Sequence, residues 1–123
     1  MKRVAVVTSG GDAPGMNAAL NAIYQMGIDL GIEVIGIRRG YEGLCEGDTV
    51  SLDPHVLREY KNKGGTILGS TRFESFKEEE VQLRAVRNLV SENVEGLLIV
   101  GGNGSQKGSM AIDKHGFPVL GVA

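Results

Sequence analysis

The chain has 123 residues, 41% of them hydrophobic and 23% charged, with a formal net charge of −2. That is enough for one domain, 1–123, burying roughly two-thirds of the surface of the unfolded chain, and the lack of basic excess argues against nucleic acid as a partner. Apolar runs of only a few residues exclude a membrane-spanning helix, the run after Met1-Lys2-Arg3 is too short for a secretory leader, and the single Cys45 permits no internal disulfide, which points to a cytosolic (cytoplasmic) protein.

Val4-Ala-Val-Val7 is apolar at every position, as a central parallel strand covered on both faces should be. Pro14 then suits a helix start, and Ala19, Ile23, Met26 and Leu30 recur at helical spacing and define its predicted apolar face. Gly31 is placed to end that helix. Val34 to Ile37 reads as a second strand, and Arg38 to Gly47, with three glycines, as a loop. Thr49 to Leu52 fits a short edge strand, Pro54 to Tyr60 a short helix, and Thr66 to Leu68 another short strand.

Lys77 to Glu92 has strong helical periodicity, with Ala85, Val86, Leu89 and Val90 on one face. Glu78, Glu79 and Glu80 sit where a helix dipole favours negative charge, and Glu80 and Arg84 are spaced for an i,i+4 pair. Leu97 to Val100 reads as a buried strand, a helix follows to about His115, and Val119 to Val122 is a last strand. Strands alternating with helices predict an α/β fold, doubly wound, with a mostly parallel sheet and helices on both faces.

Nineteen residues are glycine, roughly twice average usage, and they fall between apolar runs rather than in low-complexity tracts. Two glycine-rich turns, Thr8-Ser-Gly-Gly-Asp12 and Gly101-Gly-Asn-Gly-Ser105, each follow a strong strand and open a helix. Such turns let backbone N–H groups converge on an anion, and the helix N-terminus adds partial positive charge. In an open α/β sheet, ligands bind beyond the carboxyl ends of the strands. Two such turns on one sheet edge suit a polyphosphate. Neither turn is a Walker A loop or a G-x-G-x-x-G fingerprint.

Arg72 follows a polar loop, and its guanidinium suits a bidentate clamp on phosphate oxygens. Tyr41, Phe73 and Phe76 offer either a flat wall for a base or ordinary core packing. His55 and His115 have no obvious partners and read as surface residues, and no His, Cys, Asp and Glu cluster has metal-ligand spacing.

Together these residues resemble the bacterial-type ATP-dependent 6-phosphofructokinases, in their N-terminal portion. The resemblance runs from Val4 to Ala123. Its markers are Thr8 to Ala19, Gly40-Tyr-Glu-Gly-Leu44, Gly64-Gly-Thr-Ile-Leu-Gly-Ser-Thr-Arg72, Gly96 to Ser105, and His115-Gly-Phe-Pro118. It implies transfer of the ATP γ-phosphoryl to fructose 6-phosphate, giving fructose 1,6-bisphosphate in glycolysis, with ATP and Mg²⁺ bound and a homotetrameric parent enzyme. It also implies that Gly11 lies near the γ-phosphate and Arg72 reaches the phosphates, both in catalytic positions. Tyr41, Phe73, Phe76 and Lys77 then border the nucleoside, Gly102, Gly104 and Ser105 wrap the phosphates, and Gly108 leaves room beside the ligand. A glycine at position 104 favours ATP, since pyrophosphate-using relatives commonly carry a larger residue there.

Three departures qualify the resemblance. Asn103 stands where the family has a metal-associated Asp, and Mg²⁺ prefers charged oxygen ligands. Asn21, Gln25 and Pro54 stand where allosteric members carry effector-binding arginines, which implies weak or absent regulation by ADP and phosphoenolpyruvate at that place. The family's Thr-Ile-Asp-Asn-Asp segment, with its general base, does not occur in these residues, so the chain reads as an inactive fragment of a larger enzyme. Two other readings are a non-catalytic nucleotide-binding module and a pyrophosphate-dependent phosphofructokinase. Gly-Gly-Asn-Gly-Ser also resembles a turn of NAD kinases and diacylglycerol kinases, but those families lack the Thr8 to Ala19 block.

Overall fold

Strand β1 (Arg3–Ser9) is buried on both faces and pairs in parallel on both edges, with β2 (Glu33–Ile37) on one side and β4 (Gly96–Gly101) on the other. The computed structural model describes residues 2–10, 15–70 and 73–122. The sheet is completed by β3 (Thr49–Ser51), antiparallel to β2, and β5 (Val119–Val122), parallel to β4, in the order β3-β2-β1-β4-β5.

Alternation along the strands divides the core in two. Ala5, Val7, Ile35, Ile37, Leu97 and Ile99 face one side, where they meet Leu44 and Cys45 of α2 (Gly40–Glu46), Ala85 and Leu89 of α4 (Glu79–Ser91) and Ile112 of α5 (Asn103–Asp113). Val4, Val6, Val34 and Val100 face the other side, against Met16 and Leu20 of α1 (Met16–Leu30) and Leu57 of α3 (Pro54–Tyr60). The chain leaves β1 through α1 toward β2, and leaves β4 through α5 toward β5, in opposite directions along the sheet. Crossovers of one hand then place α1 and α5 on opposite faces. The doubly wound, mostly parallel α/β architecture expected from the sequence is therefore present.

Several local expectations are corrected. The stretch 40–46 is helical rather than looped, because Leu44 and Cys45 gain burial against α4 by turning inward. Thr66 to Leu68 forms no strand; its backbone is bonded to side chains and to the start of α2 instead. The helix expected at 77–92 begins later, at Glu79, after a 3-10 helix at Glu74–Lys77. The buried face of α1 runs through Met16, Leu20 and Gly27, leaving Met26 and Leu30 exposed. Val90 is likewise exposed, and Glu80 and Arg84 form no ion pair. Gly31 does end α1, its N–H donating to the carbonyls of Gly27 and Ile28.

Burial also governs Cys45. Desolvation pushes its thiol up to about 11, so the folded state favours the neutral thiol. The stability this contributes is present below the unfolded value, near pH 9, and is lost between about pH 9 and 11. The difference in urea midpoint between the native chain and Cys45→Ala should shrink across that interval; a constant difference would contradict the assignment. Separately, Ile99→Ala, at a position with no exposed surface, should cost about 2–5 kcal/mol in urea unfolding. Leu120→Ala, at an exposed position, should stay within about 0.5 kcal/mol.

Candidate functional site

The strand ends from which the two glycine-rich turns lead lie side by side. Ser9 of β1 is in register with Gly101 of β4, and each strand runs out of the sheet there toward a helix. These neighbouring strands feed crossovers that diverge to opposite faces, so a crevice opens between them at their carboxyl ends, the general ligand position of open α/β sheets. A Cβ at position 101 would fall on the Ser9 carbonyl, so glycine is required for the strands to approach this closely. The helices that follow, α1 and α5, start at this edge, and their N-terminal partial charges favour an anion there.

A third segment reaches the same edge. The loop after α3 carries no regular structure between residues 61 and 70 and lies against the end of β1. The Ser70 hydroxyl donates to the Gly10 carbonyl, and the Thr8 hydroxyl, fully buried, donates to the Gly69 carbonyl at 2.8 Å. From the other side, the Arg39 N–H donates to the Leu68 carbonyl at 2.9 Å. Arg39 caps the start of α2 and pairs with Glu42, Glu46 and Asp48; Glu46 and Asp48 raise its already high pKa.

The aromatic residues form a stack. The rings of Tyr41 and Phe76 lie 4.4 Å apart at 9° to one another, which leaves no room for a base between them. Phe76 is buried in the core, while Tyr41 and Phe73 are partly buried against it. Burial raises the Tyr41 pKa, against the opposing effect of a hydrogen bond from the Ser9 side chain. This ties the ring to the end of β1. A Cβ at Gly108, on α5, would overlap the Tyr41 hydroxyl, so the helix approaches the ring as closely as a bare backbone allows. Behind the stack, the Gln82 amide donates to the Phe76 carbonyl at 2.8 Å, and its oxygen bonds His115 Nε2 at 3.0 Å.

The structure brings Tyr41, Phe76 and Gly108 together, with Phe73 packed nearby and Gly102 at the head of α5. Lys77 stands apart, largely exposed and paired with Glu74 at 2.9 Å, which raises its pKa. Gly11 and Arg72 lie outside the described residues, as do the side chains of Asn103 and Ser105; the backbone of 103–106, Gly104 included, forms the first turn of α5. The two histidines are not unpartnered: His55 Nδ1 meets Arg58 at 2.9 Å, and His115 meets Gln82. Among the described residues no three His, Cys, Asp or Glu side chains gather as a metal site.

Sequence reasoning missed the buried polar residues Thr8, Asn17 and Gln82, which fasten the segments around the crevice. For Thr8 a signal exists: a hydroxyl directly after four apolar strand residues has to find a partner in the core.

A doubly wound sheet whose neighbouring strands β1 and β4 send crossovers to opposite faces defines the class of open α/β domain with a crevice at its switch point. The family model for phosphofructokinase matches residues 3–123, and the chain belongs to that family. The ATP-dependent 6-phosphofructokinase of Streptococcus thermophilus is 48% identical over 122 residues, which cover 99% of this chain and 36% of that protein. The Thermotoga neapolitana enzyme of the same name is 49% identical over 123 residues and 39% of its length. The chain thus spans little more than a third of these relatives. Among solved structures, Pichia pastoris phosphofructokinase in the T-state superposes with a TM-score of 0.87 at 40% identity, over 93% of this chain and 12% of that one. A pyrophosphate-dependent phosphofructokinase from Marinobacter aquaeolei shares the fold, with a TM-score of 0.76 at 18% identity, over 98% of this chain and 32% of that one.

The packing of Gly108 against Tyr41 can be tested directly. Alanine is the better helix former by about 0.8–1.0 kcal/mol, yet Gly108→Ala should destabilise the chain by about 1–3 kcal/mol through overpacking. A raised urea midpoint would show that the ring moves aside freely.

Proposed function

We propose that this chain forms the nucleotide-phosphate site of an ATP-dependent 6-phosphofructokinase. The observation that carries the reading is the meeting of β1 and β4 at the switch point, with Ser9 beside Gly101 and a glycine-rich turn leading from each strand into a helix. In the reaction, the 1-hydroxyl oxygen of fructose 6-phosphate bonds to the γ-phosphorus of ATP while its proton passes to the general base of the whole enzyme, the bond from that phosphorus to the β–γ bridging oxygen breaks, and ADP leaves. Such chemistry depends on positioning and on neutralising phosphate charge.

In this assignment the turns at Gly10-Gly11 and Gly102 to Ser105 hold the phosphates with backbone N–H groups, and Arg72 supplies the positive charge. Tyr41 and Phe73, only partly buried, border the nucleoside, with Phe76 stacked on Tyr41 from within the core. Because Tyr41 and Phe76 stack on each other, the base lies against the accessible edge of Tyr41. Gly108 keeps α5 close to that ring. Lys77, exposed beside the 3-10 helix, is proposed to border the nucleoside from the solvent side.

Mg²⁺ prefers charged oxygen ligands, and no carboxylate cluster among the described residues supplies them. The metal is proposed to arrive on the phosphates of the nucleotide, with the amide of Asn103 nearest to it. Fructose 6-phosphate is the proposed second substrate of the whole enzyme, and a homotetramer its proposed assembly.

Calorimetric titration of the chain with ATP and Mg²⁺ tests the reading. Saturable binding is expected, weakened about tenfold or more by Arg72→Ala, since a guanidinium–phosphate pair is charge-assisted and bidentate. Asn103→Asp should strengthen the Mg²⁺ dependence of that binding. Absence of ATP binding by the native chain would overturn the assignment.

A further inference from the structure

The turn after β1 is bracketed in sequence by two buried polar side chains, Thr8 before it and Asn17 after it. Position 8 shares the strand face of Val4 and Val6, where apolar side chains pack against α1, α3 and Leu68. A valine there would suit the face. Instead the Thr8 hydroxyl donates to the Gly69 carbonyl and accepts from the Thr66 hydroxyl at 3.0 Å, while Thr66 Oγ1 also accepts the Leu68 N–H at 3.2 Å. Asn17, 2% exposed, uses both ends of its amide on the same loop. Its oxygen accepts the Ile67 N–H at 2.8 Å, and its nitrogen donates to the Lys63 carbonyl at 3.2 Å. Partners 46 to 61 residues away in sequence are thus gathered onto the two flanks of one turn.

We infer that Thr8 and Asn17 are positioning residues that clasp loop 63–70 to the end of β1 and the start of α1, the two segments flanking the first glycine-rich turn in sequence, so that the loop leading to Arg72 is fixed against the strand end from which that turn departs. The inference rests on the nucleotide-site reading and adds to it a pair of buried residues whose polar groups are bonded within the fold. The loop has no strand or helix partner through these residues; Leu68 packs into the core, and the backbone around it is directed by these side-chain bonds, by the Ser70–Gly10 bond and by the Arg39–Leu68 backbone bond. Buried amides and hydroxyls of this kind fix one geometry, because any other leaves them unsatisfied. Preorganisation of the loop in turn spares the ligand the ordering cost on binding.

The test compares Thr8→Val, which keeps shape and removes the hydroxyl, with Thr8→Ser, which keeps the hydroxyl. Two measurements are made on the 123-residue chain: amide hydrogen exchange and ATP–Mg²⁺ affinity. Thr8→Val should speed exchange at Ile67 and Leu68 at least tenfold while the β4 amides stay protected, and should weaken ATP binding about tenfold. Thr8→Ser should restore both to within about threefold of native. Thr66→Val provides the same comparison from the loop side if Thr8→Val fails to fold. Unchanged exchange at Ile67 and Leu68 in the folded valine variant would overturn the clasp. Faster exchange with unchanged ATP affinity would overturn its positioning role. If the native chain binds no ATP, the nucleotide reading and the positioning role fall together, and the exchange measurement alone still decides whether the clasp exists.

Discussion

Strand β1 hydrogen-bonds along both edges and is buried on both faces, so every other element takes its place relative to it. Its backbone needs partners on two sides, which β2 and β4 supply, and its side chains need cover on two sides, which the helices supply. The parallel arrangement follows, since parallel strands require crossovers and crossovers of one hand from adjacent strands diverge to opposite faces. The crevice at the ends of β1 and β4 is thus a consequence of how the central strand is satisfied. The site needs no element beyond those that build the core.

Around that crevice, apolar burial and polar satisfaction do different work. The sheet and its helices are held by two apolar layers. The loop and the aromatic stack bury Leu68 and Phe76 in those layers and are fastened in addition by single polar side chains, Thr8, Asn17 and Gln82, each with its hydrogen-bonding groups engaged inside the fold. Burial is non-directional and tolerates small shifts, whereas a buried amide or hydroxyl specifies distance and angle. The segments beside the crevice carry both kinds of fastening, burial for stability and buried polar bonds for direction.

The central strands were legible because Val4 to Val7 and Leu97 to Val100 are apolar on consecutive residues, a pattern that only double-sided burial explains. The glycine turns were legible because they interrupt those runs abruptly. Helix α2 was not: glycines at 40, 43 and 47 outweigh a weak apolar signal, and only the tertiary burial of Leu44 and Cys45 decides for helix. Thr66 to Leu68 has strand-like residues, but its backbone partners, Asn17 and the start of α2, are distant in sequence and invisible to local periodicity. The same distance hid Thr8 and Asn17 as participants. The resemblance implied a shared ligand for Tyr41, Phe76 and Gly108 but not the direct stacking of the two rings, which depends on how α2, the 3-10 helix and α5 pack together and which no single segment encodes.

The contact between Gly108 and Tyr41 joins two positions that lie on separate helices and far apart in the chain. The space is filled once: a phenol on α2 occupies what a side chain on α5 would need. Within this fold, residues 41 and 108 are therefore expected to covary, with bulk on one helix matched by its absence on the other. A redesign that enlarges α5 at this position has to shrink the ring position in the same step.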